Sequence, residues 1–220
     1  MMLLERSEIK KDKKDMEAIA ELIQNGIFKG GEIPRDIRHL LWLLENYESH
    51  YVNLVLSHPS LLVEVANLTL FKALYGRLQE ILQLDEAKYN RIVSKLPYCM
   101  IDQNHWKVRS QHRKYLMNIL QQEDKINLIG PGYSNNGAGL LKFLSDSCWD
   151  LVDYSVGEVK MAGQERMMKV VLFEYQIQHM FGAAFPEIIC RFHKAMHDEN
   201  EASLDMFTNR HAMLCLMNAE

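Results

Sequence analysis

Two histidines, His193 and His197, stand four residues apart in a stretch whose apolar residues repeat with helical spacing. On a helix, positions i and i+4 lie about one turn apart on one face, so both imidazoles can approach a single metal ion. The metalloprotease pattern is not met, because Lys194 and Ala195 follow His193 where a glutamate would stand. A third ligand would have to come from Glu174, His179 or His211. Glu174 and His179 are five apart, so the Glu-x-x-His motif of a di-iron bundle fails. Among nine histidines such a pair arises easily by chance. The expectation is therefore no metal, with His193 and His197 as the candidates if one is held.

The second chemical candidate is the stretch Lys125 to Asp150, KINLIGPGYSNNGAGLLKFLSDSCWD, with Gly130, Gly132, Gly137 and Gly139. Gly130, Pro131 and Gly132 impose a turn, since proline fixes φ and glycine tolerates positive φ. Ser134, Asn135 and Asn136 are N-cap residues, and Leu140, Leu141, Leu144 and Cys148 follow on one helical face. A glycine-rich loop opening a helix suits a phosphate, because free N–H groups and the helix dipole point at it. Gly130, Gly132, Gly137, Ala138 and Gly139 would form that site. The spacing fits neither standard motif: Ala138 and Gly139 stand where a Walker loop has Lys and Ser/Thr, and Asn135 replaces the third glycine of a dinucleotide fingerprint. A structural connector with a capped helix start is the competing reading.

No other catalytic constellation is intact. There is no GxSxG elbow, and Cys148 would sit at the end of its helix, away from the N-terminal dipole that activates a thiol. No cofactor is expected, and the chain reads as a binding protein rather than an enzyme.

Two further patches suggest partners. His105, Lys107, Arg109, His112, Arg113 and Lys114 make one segment locally basic, with Trp106 and Tyr115 interleaved. Such a segment can meet nucleic acid, but in a chain of net charge −4 it reads better as a solvated face or a dock for an acidic segment. Eight of the thirteen methionines fall between Met161 and Met217. Methionine-rich surfaces repack around apolar partner helices, although methionines also fill cores. Met167, Met168, Met206 and Met213, with Arg109 and Arg113 steering, are the candidate partner-binding residues.

The elements that would position these groups are helical. Amphipathic repeats run through 16–27, 36–57, 59–84 and 86–96, separated by Gly30-Gly31-Pro34, His58-Pro59 and Asp85, with residues 1–14 charged and loose. Further repeats cover 102–122, the helix after the glycine-rich stretch, 167–181, 186–200 and 202–217. The expected fold is mainly α, a bundle of about eight or nine helices with a glycine-rich connector, and a short strand, near 125–139. Residues 1–97 form its first portion and 98–220 its second, packed as one domain. Ordinary composition, at 48% hydrophobic and 25% charged residues, supports a real core. Four scattered cysteines without a CxxC, no signal-peptide pattern and no 18-residue apolar run suggest a soluble protein of a reducing, cytoplasmic compartment. The resulting expectation is a soluble helical adaptor or scaffold that takes an apolar or acidic helical segment of another protein. The alternative is an enzyme or sensor for a phosphorylated molecule or nucleotide at Gly130–Gly139.

Overall fold

Leucine at repeated three- and four-residue intervals dictates most of the secondary structure. The computed structural model describes residues 2–62, 64–100, 102–111, 116–117, 120, 133–149, 155–161, 164–169 and 174–202. The architecture is mainly α. The helices are α1 (Met2–Glu21), α2 (Arg35–Glu45), α3 (Val52–Leu56), α4 (Glu64–Leu84), α5 (Glu86–Ser94), α6 (Trp106–Gln111), α7 (Gly137–Trp149), α8 (Glu174–Ala184) and α9 (Ile188–Asp198). One antiparallel hairpin, β1 (Ser155–Met161) with β2 (Gln164–Lys169), lies between α7 and α8, pairing Glu158 with Met167 and Met161 with Gln164. No described helix is long and apolar enough to cross a membrane.

The chain divides into two compact units, residues 1–74 with 186–220, and residues 75–185. The division falls inside α4, and α9 joins the N-terminal helices.

In the first unit, α2 turns Leu40, Leu41, Leu43 and Leu44 inward against Ala20 of α1 and Leu54 and Val55 of α3. Met16, Ile23, Ile33, Ile37 and Tyr51 close the margin of that cluster. Each fully buried leucine contributes about 1.5–3 kcal/mol of transfer free energy. Phe192 of α9 meets Phe71 of α4 edge-on, with ring centroids 6.2 Å apart.

Three boundaries differ from the periodicity. Helix α1 starts at Met2, ahead of the apolar repeat, because Lys and Glu are intrinsically good helix formers. The 36–57 repeat is not one helix. α2 stops at Glu45, where Asn46 bonds back to the Trp42 carbonyl (2.9 Å), and a 3-10 turn at Ser49–Tyr51 leads into α3. Pro59 opens only a 3-10 turn, Pro59–Leu61, before α4 begins at Glu64.

In the second unit, Asp85 caps α5 by accepting the Lys88 N–H at 2.9 Å. Trp106, wholly buried, packs against Phe143 of α7 and Tyr133 at centroid distances of 5.2 and 6.1 Å. The described strands occupy Ser155–Met161 and Gln164–Lys169, a stretch the periodicity assigns to an irregular piece and a helix from Met167. That helix starts later, at Glu174. Residues 125–132 of the connector lie outside the described residues.

Candidate functional site: a buried histidine cluster beside an arginine-lined cleft

The first unit brings together residues that are distant in sequence. α2 presents Arg35, Arg38, His39 and Trp42 at i, i+3, i+4 and i+7, one face of the helix. The start of α9 supplies Glu187, Cys190, Arg191 and His193. The turn before Pro59 supplies His58.

Arg35, Arg38, His39, Trp42, Glu187 and Arg191 line a cleft of about 430 Å³. Glu187 receives the Arg191 guanidinium at 3.2 Å and that of Arg35 at 3.9 Å. Three guanidinium groups against one carboxylate leave the lining with two positive charges in excess. Arg38 is exposed and, among the described residues, its guanidinium has no hydrogen-bond or ion-pair partner. Trp42 is 45% exposed and carries the Lys194 ammonium 5.6 Å from its ring centroid, while Lys194 bonds Asp198 at 2.9 Å.

Behind the cleft lie His39, His58, Cys190 and His193, with relative exposures of 3, 0, 2 and 1%. The ring nitrogens His39 Nδ1 and His58 Nε2 are 2.9 Å apart. Their tautomers follow from the neighbours. The Ser60 backbone N–H donates to His58 Nδ1 (3.2 Å), so His58 carries its proton on Nε2 and donates it to His39 Nδ1. His39 must then be protonated on Nε2, and that buried nitrogen has no acceptor. An orphaned buried donor costs about 1–3 kcal/mol, so a group arriving with an acceptor would recover it.

The cluster is held uncharged. Burial, with Arg191 and Lys194 nearby, lowers His39 from 6.5 to about 4. Burial and the neighbouring rings of His39 and His193 lower His58 to about 3. Burial, His197 and His39 lower His193 to about 3. Burial, then the Asp36 carboxylate, pushes the Cys190 thiol up to about 12, against a hydrogen bond from Ser60.

The structure separates the histidine pair singled out by spacing. His193 faces the buried cluster, while His197 donates from Nε2 to the His50 carbonyl at 3.0 Å and stacks on the His50 ring. Of the suggested third ligands, Glu174 and His179 belong to α8 in the other unit, and His211 lies outside the described residues. His39 and His58 carried no motif: one sits in a leucine-rich helix, the other before a proline. Their only signal is a histidine at an inward position of an amphipathic repeat.

The glycine-rich helix start is filled by protein. Gly137 is buried against the Val93 carbonyl, with which a Cβ would collide, and a Cβ on Gly139 would collide with the Ser134 carbonyl. The Gly139 N–H is taken by Asn136 Oδ1 at 3.0 Å, as an N-cap. Ala138 is half-buried between them, and Gly130 and Gly132 lie outside the described residues. These contacts give Gly137 and Gly139 a packing role.

Arg109 is engaged within its own unit. Its Nε donates to the Ala184 carbonyl at 2.6 Å and its guanidinium lies 4.8 Å from the centre of the Tyr98 ring. Arg113, Met206 and Met213 lie outside the described residues, and Met167 and Met168 fall on β2. Comparison with protein-family models, curated proteins and solved structures finds no match to this chain. Its class therefore rests on its own architecture: a mainly α protein with a polar cleft over a buried His/Cys cluster.

Proposed function

We propose that the protein binds a small molecule through a phosphate or carboxylate group held in the cleft between α2 and α9. The observation that supports this most directly is the excess positive charge of Arg35, Arg38 and Arg191, with the Arg38 fork open. Guanidinium groups pair with planar or tetrahedral oxyanions through two parallel hydrogen bonds. His39, whose buried Nε2 donor lacks a partner, also lines the cleft. Trp42 offers an exposed aromatic surface for the remainder of the ligand. This moves the small-anion reading away from the glycine-rich loop. It is preferred to the adaptor expectation because the cleft can be built from described side chains.

The test is thermal unfolding with inorganic phosphate, pyrophosphate and phenyl phosphate at constant ionic strength. A ligand at a hundredfold excess over its dissociation constant raises stability by about 2.7 kcal/mol. At least one probe should raise the midpoint saturably, and Arg38→Glu should abolish the rise without lowering the midpoint of the free protein. A flat response to all three probes, or an equal response in the variant, would refute the assignment.

A further inference from the structure

Two imidazoles and a thiol that share no sequence motif are packed within 4.8 Å of one another beside the cleft. His39 comes from α2, His58 from the turn before Pro59, and Cys190 from the first turn of α9. One donor atom from each lies within 4.8 Å of the others, and all three residues are buried. We propose that His39 Nδ1, His58 Nε2 and Cys190 Sγ bind one divalent transition-metal ion of zinc character. This does not depend on the anion reading of the cleft.

The donor chemistry fits. Imidazole nitrogen and thiolate sulfur are the ligands zinc prefers, and such a set with few carboxylates disfavours magnesium and calcium. The nitrogen–nitrogen distance is near what such a site needs, while the thiol, within 4.8 Å of the nitrogens, would close to about 3.6 Å. Two nitrogens at about 2.0–2.1 Å from one ion subtend about 90° when 2.9 Å apart, and tetrahedral geometry needs about 3.3 Å, a shift of about 0.4 Å. The ion would take the place of the proton that His58 now shares with His39. His39 Nε2–H stays a donor in both states, and a metal-bound imidazole normally gives that second N–H to an acceptor.

The surroundings divide by sign. Asp36 and Glu187 act on Cys190 and partly offset the single net positive charge of a Zn²⁺–thiolate unit. The Ser60 hydroxyl, which donates to Asp36 Oδ2 at 3.4 Å, acts on Cys190 in favour of the thiolate. Arg191 and Lys194 act on His39 in the opposite sense, with Asp198 opposing them, and His193 is a neutral neighbour. Binding has two proton consequences. The Cys190 S–H bond breaks and its proton leaves to solvent as the S–metal bond forms. The His58 proton moves from Nε2 to Nδ1, so the Ser60 amide loses its 3.2 Å acceptor. One proton is released per ion. His39 also lines the cleft, the side from which an ion would approach.

Co²⁺ is the probe, added to the full chain after chelation and reduction. The expected result is one Co²⁺ per chain with a thiolate-to-cobalt charge-transfer band and intense tetrahedral d–d bands. One equivalent of Zn²⁺ should remove both, with a raised unfolding midpoint. Cys190→Ala should lose the charge-transfer band. Absence of that band in the wild-type chain, or its persistence in Cys190→Ala, would overturn the proposal. If the variant does not fold, cysteine alkylation of the wild-type chain in mild urea decides. Zn²⁺ should slow labelling of Cys190 at least tenfold and leave Cys99 unchanged, whereas equal labelling of Cys190 with and without Zn²⁺ would overturn the proposal.

Discussion

Lowering the pH from 7 to 5.5 should destabilise the metal-free protein well before its carboxylates begin to titrate. His39, His58 and His193 are buried and neutral, with native values of about 4, 3 and 3 against 6.5 for a free imidazole. The unfolded chain therefore takes up protons first. These groups cost nothing above pH 6.5, and stability is lost as pH falls from 6.5 toward 4 and 3. At pH 5.5 each unfolded imidazole gains about 1.4 kcal/mol from protonation, while the native rings gain almost nothing. Three together amount to about 4 kcal/mol, a large part of the roughly 5–15 kcal/mol that holds a typical domain folded. His197, lowered chiefly by burial, acts in the same direction. For a chain of this size the loss corresponds to a midpoint roughly 8–16 °C lower. The assay is calorimetry in EDTA at pH 7.0, 6.0 and 5.5, with proton uptake on unfolding read from buffers of different ionisation enthalpy. A midpoint lower by less than about 3 °C at pH 5.5, or uptake of fewer than two protons, would refute the claim that three uncharged histidines are buried together.

Other outcomes follow from single contacts in the second unit. Gly137→Ala sets a methyl group against the Val93 carbonyl and should cost about 1–3 kcal/mol or more, read as a lower urea midpoint with unchanged slope. An unaffected midpoint would show that the α5–α7 approach is looser than the structure has it. Asn136→Ala removes the acceptor for the Gly139 N–H and should cost about 1 kcal/mol, whereas Asn136→Asp should retain most of the stability. Equal losses in both would assign Asn136 some role other than capping.

The separate histories of Asn136 and Asn46 show where sequence was enough. Asn136 precedes three small residues and a leucine repeat, and Asp85 precedes a helix of its own. In both cases the capping chemistry is local, so the helix starts could be read directly. Asn46 ended a helix inside an unbroken apolar repeat. The repeat is the same whether α2 and α3 are one helix or two, but only the break after Glu45 lets Leu54 and Val55 fold back onto the core of Leu40 and Leu44. The hairpin was hidden for a related reason. Met167 and Met168 suit a helix or a strand, and the pairing of Glu158 with Met167 is a contact that no helical period anticipates.

What the sequence by itself determined is the helical class, the helix starts near Arg35, Glu86, Gly137 and Ile188 and the inward leucine faces, because spacing and caps act over a few residues. What only the tertiary structure decided is the site. His39, His58 and Cys190 are brought together because α2 and α9, elements about 150 residues apart, both pack on the turn at Pro59–Leu61. Their chemistry is set by burial and by each other's charge, and neither exists in the unfolded chain. The same packing sent His197 to the His50 carbonyl and His193 to the buried cluster, although both stand on one face of one helix.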